Sequence, residues 1–263
     1  MFLDKLTTAV KKNNSLLCVG LDFDSAKTPA PFQGDPLGYN KIIIEATSDL
    51  VCAYKPNMAF YEALGIAGLV ALEKTIAAVP SHIPVILDAK RGDIGNTSAA
   101  YARAAFEWLG ADAITVAPYM GRDSVEPFLR FKGKGVFVLC LTSNPGSCDF
   151  QKLKCGDRFL YLEVAEKCNA WAREISPEIG LVVGATQDEI AEVRAVTRCP
   201  FLIPGVGAQG GDLKKAVQQG GKNGALAIIN ASRSIIYPAG TGDPATRIRQ
   251  SAHELKDEIN RNR

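Results

Sequence analysis

The chain has 263 residues, of which 47% are hydrophobic, and its formal net charge is +2. This length suits one large α/β domain, and the apolar fraction is sufficient for a substantial core. The basic residues are scattered singly or in short pairs, which argues against a nucleic-acid-binding face. The longest apolar stretch, residues 63–72, is far shorter than the ~20 residues of a membrane-spanning helix, so no membrane association is expected.

Cysteine and histidine usage argues against several kinds of site. The seven cysteines include no Cys-x-x-Cys pair, and we interpret them as reduced structural residues of a cytoplasmic protein. The two histidines, His82 and His253, lie in polar surroundings and are interpreted as surface residues. A zinc centre or a histidine-activated nucleophile is therefore not expected. Residues 1–5 contain an early acid and no continuous apolar segment, so they do not resemble an export signal.

Short apolar segments alternate with amphipathic segments along the whole chain. The predicted strands are residues 16–21, 51–54, 85–87, 113–116, 136–141, 181–183, 201–203 and 226–229. The predicted helices are residues 36–49, 61–78, 97–109, 124–130, 159–174, 187–196, 213–218 and 246–260. Strands that are each followed by a helix indicate an α/β protein with a (β/α)8 TIM barrel, which we expect to form a single domain over residues 1–263.

A doubly wound open sheet is the alternative fold. It would normally place a glycine fingerprint at the first turn, and residues 20–23 contain no G-x-G-x-x-G. Two connections that follow strands are long, residues 142–158 and residues 205–212. Because lids are often built from such connections, we expect residues 144–157 and 208–212 to close over a ligand.

Polar residues follow many of the predicted strands, at the end where barrel enzymes carry their active sites. These residues are Asp22, Lys55, Asn57, Asp88, Lys90, Asp93, Thr142, Ser143, Asn144, Asn230 and Arg233. Taken alone, Asp22 is either a turn residue or a hydroxyl acceptor. Lys55 ends an apolar strand and therefore needs a partner, for which Asp22 and Asp88 are both plausible.

The segment from Asp88 to Asp93 is the most informative. Asp88 and Lys90 are two residues apart, so on a regular strand their side chains point the same way, and Asp93 follows near the start of the next helix. A lysine between carboxylates stays protonated, which suits Lys90 to donate a proton. The alternative is a salt-bridged cluster in which Asp93 only caps the helix.

A second site is predicted after the seventh and eighth strands. Residues 204–211 are rich in glycine and lead towards a helix, so the backbone N–H groups around Gly205 and Gly207 can approach an anion closely. Arg233, after the eighth strand, can bind phosphate through two parallel hydrogen bonds. Barrels frequently bind phosphate at this pair of loops, although the glycines alone are also compatible with a plain turn.

Six segments together resemble the orotidine 5′-phosphate decarboxylase family. They are residues 21–24, 53–62, 88–97, 141–145, 204–209 and 231–233. The Asp-x-Lys-x-x-Asp motif at residues 88–93 also occurs in related barrels that act on sugar phosphates. The lysine-proline-asparagine sequence at residues 55–57 makes the resemblance more specific, and the segments occur in the family's order over nearly the whole chain.

The resemblance implies an enzyme of pyrimidine biosynthesis that removes CO2 from orotidine 5′-monophosphate (OMP) to give UMP, without a metal or organic cofactor. Lys90 would protonate C6, the ring carbon that loses the carboxylate, and Asp88 and Asp93 would flank that lysine. The family also implies a homodimer with shared active sites. Asp93, Ile94 and Thr97 would complete the site of the partner subunit.

The resemblance further implies the residues that bind substrate. Asp22 and Lys55 would bind the ribose hydroxyls with Asn57 nearby, and Gln209 and Arg233 would bind the phosphate.

Ser143 is the residue expected to contact the pyrimidine, while Thr142 and Asn144 are close enough in sequence to remain alternatives. The alternative function is a magnesium-dependent decarboxylase or aldolase of the same barrel superfamily, acting on a sugar phosphate.

Overall fold

The apolar segments of the sequence form eight parallel strands that are buried along most of their length. The computed structural model describes residues 1–206 and 212–263. The strands are β1 Leu17–Gly20, β2 Ala53–Lys55, β3 Ile86–Arg91, β4 Ala113–Val116, β5 Gly135–Leu141, β6 Ile179–Val183, β7 Phe201–Pro204 and β8 Ala227–Ala231. Their order in the sheet is β2-β1-β8-β7-β6-β5-β4-β3.

Two isolated bridges close this sheet. Tyr54 pairs with Val85, and Asn57 pairs with Asp88, so β2 meets β3 and the sheet forms a barrel. The predicted (β/α)8 barrel is confirmed, with each predicted strand displaced by only a few residues. The expectation of a single domain over residues 1–263 stays a prediction.

Helices surround the barrel. They are α1 Phe2–Asn13, α2 Pro36–Thr47, α3 Met58–Glu62, α4 Gly65–Ala78, α5 Gly95–Arg103, α6 Arg122–Leu129, α7 Ser147–Phe150, α8 Leu160–Glu174, α9 Ile190–Val196, α10 Leu213–Gly220, α11 Arg233–Ile236 and α12 Pro244–Arg261. Several have clear start signals, because Asp35, Asp212 and Asp243 each accept a hydrogen bond from a backbone N–H of the first turn. None of the helices among the described residues has both the length and the apolar character needed to span a membrane.

The structure corrects several predicted elements. The helix predicted over residues 61–78 is divided into α3 and α4, because Gly65 adopts a left-handed backbone with φ 66°. The helix predicted over residues 97–109 begins earlier and changes to a π-helical turn at Ala104–Trp108. The long connection after β5 contains α7 and an antiparallel ribbon that pairs Lys154–Cys155 with Arg158–Phe159.

The barrel interior contains one apolar cluster, to which every strand contributes. Its members are Phe2, Leu6, Cys18, Cys52, Ala53, Ile86, Ala113, Phe137, Val182, Leu202 and Ile228. Phe2 and Leu6 come from α1, a helix that is absent from the elements predicted from sequence, and both are buried. Helix α1 therefore closes the amino end of the barrel.

Three contacts hold α1 in this place. Glu178 accepts a hydrogen bond from the backbone N–H of Leu3 at 2.7 Å, and Lys5 forms an ion pair with Asp112 at 2.8 Å. Gly135 makes room for the Phe2 ring, since a Cβ on that glycine would lie 2.2 Å from a ring carbon. The open face of the barrel is consequently the carboxyl end of the strands.

Candidate active site

A cavity of about 560 Å³ lies at the carboxyl ends of the strands. Leu139, Val182 and Leu202 supply apolar lining from inside the barrel. The polar and charged lining includes Asp22, Lys27, Lys55, Asn57, Asp88, Lys90, Thr115, Thr142, Ser143, Asn144, Asn230, Ser232 and Arg233. The cavity therefore joins an apolar floor to a charged rim.

Asp88 is the centre of the charged group in this cavity. The Nζ atom of Lys55 lies 2.7 Å from Asp88 Oδ2, and the Nζ atom of Lys90 lies 2.6 Å from Asp88 Oδ1. Lys55 and Asp88 are buried, whereas 49% of the Lys90 side chain is exposed. Asp22 and Asp88 were both expected as partners of Lys55, and the ion pair is formed with Asp88. One carboxylate thus holds a buried and an accessible ammonium group.

These contacts keep the buried pair ionised. Burial alone would raise the pKa of Asp88, but the ammonium groups of Lys55 and Lys90 outweigh burial and hold that pKa well below its usual range. Burial would lower the pKa of Lys55, but the carboxylates of Asp88 and Asp22 outweigh it and raise that pKa above its usual range. Asp88 and Lys55 are therefore charged at neutral pH.

Strand β3 is irregular at the residues that carry these charges. Leu87 pairs with Ile114 and Arg91 pairs with Val116, so three residues of β3 lie opposite Thr115 alone. Lys90 has a left-handed backbone with φ 47°. Asp88 and Lys90 lie side by side at the cavity, as predicted. The strand that carries them is bulged at this point and does not have the regular alternation from which the prediction was made.

Thr115 contacts this bulge and was not among the predicted site residues. Its Oγ1 atom accepts hydrogen bonds from the N–H groups of Ala89 and Lys90, at 3.0 Å and 2.9 Å, and donates to Asp88 Oδ1 at 2.9 Å. The only sign in the sequence is a hydroxyl residue within the apolar segment of β4.

Asp22 is held at the end of β1 by two neighbouring segments. Its Oδ1 accepts a hydrogen bond from the N–H of Asn57 at 3.2 Å, and its Oδ2 accepts one from the Ser232 hydroxyl. Gly20 permits the second contact, since a Cβ there would lie 1.8 Å from Ser232 Oγ. Asn57 also caps α3 by accepting from the N–H of Ala59 at 3.1 Å. Asp22 is thus fixed with its carboxylate lining the cavity.

The segment after β5 brings Ser143 to the cavity wall together with its two alternatives. Gln151 accepts a hydrogen bond from the N–H of Thr142 at 2.7 Å, and the Thr142 hydroxyl bonds Asn144 Oδ1 at 2.6 Å. A Cβ on Gly184 would lie 2.6 Å from the Ser143 nitrogen, so this glycine lets the segment pack against the end of β6. The structure places all three candidates at the cavity.

Comparison with known proteins identifies the relatives of this chain. The model of the "Orotidine 5'-phosphate decarboxylase / HUMPS family" matches residues 15–250. An orotidine 5′-phosphate decarboxylase of Herpetosiphon aurantiacus is 52% identical, with 96% of this chain and 95% of that protein covered. One of Dehalococcoides mccartyi is 51% identical, with coverages of 98% and 97%. The solved structure of Leishmania donovani OMP decarboxylase has a TM-score of 0.87 at 44% identity, with coverages of 99% and 98%.

The chain belongs to the orotidine 5′-phosphate decarboxylase / HUMPS family. This membership agrees with the resemblance of the sequence motifs. The residues that the family model matches include all eight strands of the barrel.

Three residues assigned from the family motif do not line the cavity of their own chain. Asp93, Ile94 and Thr97 lie at the start of α5, outside the cavity lining. Asp93 Oδ1 accepts a hydrogen bond from the neighbouring N–H of Ile94 at 2.7 Å. The Ile94 residue is 56% exposed. Ile94 is therefore exposed on the surface of the chain, between the half-buried Asp93 and Thr97.

The structure describes part of the region that is expected to bind phosphate. Gly205 lines the cavity with φ 97°, a backbone that favours glycine. Arg233 is the first residue of α11 and is exposed, and it forms no ion pair with any acidic residue in the described parts of the chain. Gly207 and Gln209 lie outside the described residues, as does most of the lid expected at residues 208–212.

Proposed function

We propose that this protein converts OMP to UMP and CO2, with Lys90 as the proton donor to C6 of the pyrimidine. One observation supports this assignment above the others. The Lys90 ammonium group is accessible in the cavity and is held at 2.6 Å from a buried carboxylate that a second, buried lysine keeps ionised. Relatives of 51% and 52% identity carry the name of this decarboxylase.

The proposed chemistry follows from this placement. The bond between C6 and the carboxylate carbon breaks, CO2 leaves, and the bonding electron pair remains on C6. A fixed ammonium group beside C6 stabilises the charge that develops in the transition state, and its Nζ proton then forms the new C–H bond. Water returns a proton to Lys90. Asp88 orients the ammonium group, and Asp93 of the partner subunit is proposed to flank it.

The remaining cavity residues are proposed to bind the rest of the nucleotide. Asp22, Lys55 and Asn57 would contact the ribose hydroxyls, and the lining of the cavity by all three supports this role.

Arg233 would bind the phosphate, together with Gly205, Gly207 and Gln209. Ser143 would contact the pyrimidine, with Thr142 and Asn144 as alternatives at the same wall. Binding the phosphate, remote from the reacting bond, would drive closure of residues 144–157 and 208–212.

We also propose a homodimer whose subunits share their active sites. Exposed apolar side chains are concentrated on α3, α4 and α5 and on the segments after β4 and β5. Ten of the twelve exposed large apolar side chains among the described residues lie there, the exceptions being Met1 and Trp108, and the ten are Phe60, Leu64, Ile66, Val70, Ile94, Tyr101, Tyr119, Met120, Phe150 and Leu153. Exposed apolar side chains in this number are expected where protein chains associate. Asp93, Ile94 and Thr97 lie outside the cavity lining of their own chain, and Ile94 is exposed, which fits a contribution of this segment to the partner's cavity.

The proposed setting is pyrimidine biosynthesis in the cytoplasm. The cysteines support this location, because all seven are free thiols and five of them are buried. The proposed reaction uses no cofactor. The two oxygens of Asp88 each contact a lysine ammonium group of the chain itself.

The decisive test is UV-monitored loss of OMP by purified protein that has been treated with EDTA. Turnover with formation of UMP supports the proposal. The proposal would be overturned if the well-folded protein did not decarboxylate OMP and acted on a sugar phosphate only after magnesium was added. The metal-dependent alternative would then be favoured.

Subunit mixing tests the shared site. Lys90→Ala and Asp93→Asn are each expected to be inactive alone. Their mixture should regain about a quarter of wild-type activity, because half of the dimers are mixed and one of their two sites is intact. A mixture that stays inactive although mixed dimers form would contradict the sharing of sites.

A further inference from the structure

The hydroxyl of Thr115 lies opposite the irregular part of β3. Between the pairs Leu87–Ile114 and Arg91–Val116, three residues of β3 face this single residue of β4. The regular ladder of backbone hydrogen bonds is therefore interrupted just where Asp88 and Lys90 lie. A bulge of this kind is typically used to redirect a side chain near an active site.

The Thr115 hydroxyl replaces the missing ladder bonds. In a regular strand, the N–H groups of consecutive residues point to opposite sides. Here the N–H groups of Ala89 and Lys90 both point to Thr115 Oγ1, at 3.0 Å and 2.9 Å. The hydroxyl proton is donated to Asp88 Oδ1 at 2.9 Å. A hydroxyl offers one proton and two acceptor positions, so its whole hydrogen-bonding capacity is used.

The backbone of Lys90 needs such support. Its φ of 47° is left-handed, a conformation that non-glycine residues rarely adopt and that persists only when the surroundings hold it. Thr115 is 1% exposed, so its hydroxyl is a fixed group of the barrel wall. The contacts also form a closed ring, because Lys90 Nζ bonds the same Asp88 oxygen that Thr115 bonds.

We infer that Thr115 is a positioning residue, which fixes the backbone of Lys90 and thereby places the ammonium group that protonates the substrate. This inference rests on the proposed decarboxylase function. Thr115 acts through Lys90 and Asp88 rather than on the nucleotide. Its removal therefore lowers the rate of the chemical step and leaves nucleotide binding largely intact.

The test compares Thr115→Val, which keeps the branched shape and loses the hydroxyl, with Thr115→Ser, which keeps the hydroxyl. With EDTA-treated protein, kcat for OMP should fall about 100-fold in Thr115→Val, as expected when a catalytic group is displaced by about 1 Å. KM and the affinity for UMP should stay close to wild type. Thr115→Ser should restore most of kcat.

Thr75→Val is the matched control. Thr75 is a buried threonine of α4 that accepts a hydrogen bond from Asn40 at 3.0 Å and does not line the cavity. This variant should be less stable but should keep the wild-type kcat. If Thr115→Val does not fold, Thr115→Cys carries the same prediction, because a thiol of similar size is a much weaker donor and acceptor.

Two results would overturn the inference, namely wild-type kcat in folded Thr115→Val, or equal losses in Thr115→Val and Thr115→Ser. Failure of the proposed function looks different, because the wild-type protein itself would then not turn over OMP.

Discussion

The two ends of the barrel use the same residue types for different purposes. At the amino end, Asp112 pairs with Lys5 at 2.8 Å and accepts the backbone N–H of Val85 at 2.9 Å, which fastens α1 to the barrel. At the carboxyl end, Asp88 pairs with Lys55 and Lys90, and the Lys90 ammonium group faces an open cavity. The ion pair between Asp112 and Lys5 therefore holds α1 in place, whereas the Lys90 ammonium group beside Asp88 remains accessible to a ligand.

The backbone shows the same contrast. The amino end is filled by Phe2 and Leu6 of α1, packed on the apolar cluster inside the barrel. At the carboxyl end, Lys90 has a left-handed backbone, which elsewhere among the described residues is adopted only by glycines and asparagines, and Asn230 of the cavity lining has a buried Oδ1 without a hydrogen-bond partner among those residues. A strained backbone and an unpaired acceptor beside a cavity are expected at a functional site. The ends should therefore respond differently to substitution.

The largest effect is expected when Asp88 is replaced, and Asp112 is the matched aspartate at the other end of the barrel. Asp88→Asn should lower kcat/KM for OMP about 1000-fold, because the charge that orients Lys90 is lost. It should also lower the free energy of unfolding by about 3 kcal/mol, because the buried Lys55 loses its counter-charge. Kinetics and urea unfolding measure the two effects. Asp112→Asn is the control, with kcat/KM unchanged, and equal kinetic losses in both variants would erase the contrast between the ends.

A packing change at the amino end should lower the stability of the protein without changing its activity. Phe2→Ala should lower the free energy of unfolding by about 3 kcal/mol, since it leaves a cavity beside Gly135 and Phe137. The kcat of the folded protein should match wild type. Thr8→Ala, an exposed position of the same helix, is the control and should change neither quantity. A large fall in kcat for folded Phe2→Ala would show that the ends are coupled.

A smaller effect should appear in acid. The pKa of Asp88 is lower in the folded protein than in the unfolded chain, because the two ammonium groups outweigh the effect of burial. Its contribution to stability is thus present above the unfolded pKa of ~3.9 and is lost as the pH falls through the lower, folded value. The stability difference between wild type and Asp88→Asn should consequently shrink as the pH drops below about 4. A difference that widens there would contradict the assigned direction.

The barrel could be predicted because its strands are buried on both faces and are therefore continuously apolar. The positions of Asp22, Lys55, Asp88, Lys90 and Arg233 followed from the same pattern, since the carboxyl ends of parallel strands meet at one face. All five residues line the same cavity, as a closed parallel barrel requires.

Other features depend on contacts between distant parts of the chain. Helix α1 packs because Gly135, more than a hundred residues later, leaves room for Phe2. The role of Thr115 depends on the bulge in β3, and no local pattern predicts that Lys90 adopts a left-handed backbone. The division at Gly65 was missed because the apolar pattern of α3 and α4 is continuous across it.

The most direct test of the account is the rate of OMP decarboxylation by EDTA-treated Lys90→Ala, measured beside Lys41→Ala, a variant of an exposed lysine on α2. We expect kcat/KM to fall at least about 1000-fold in Lys90→Ala, with a smaller loss of the free energy of unfolding than in Asp88→Asn, and to stay at the wild-type value in Lys41→Ala. Comparable turnover by the two variants would contradict the assignment of Lys90 as the proton donor.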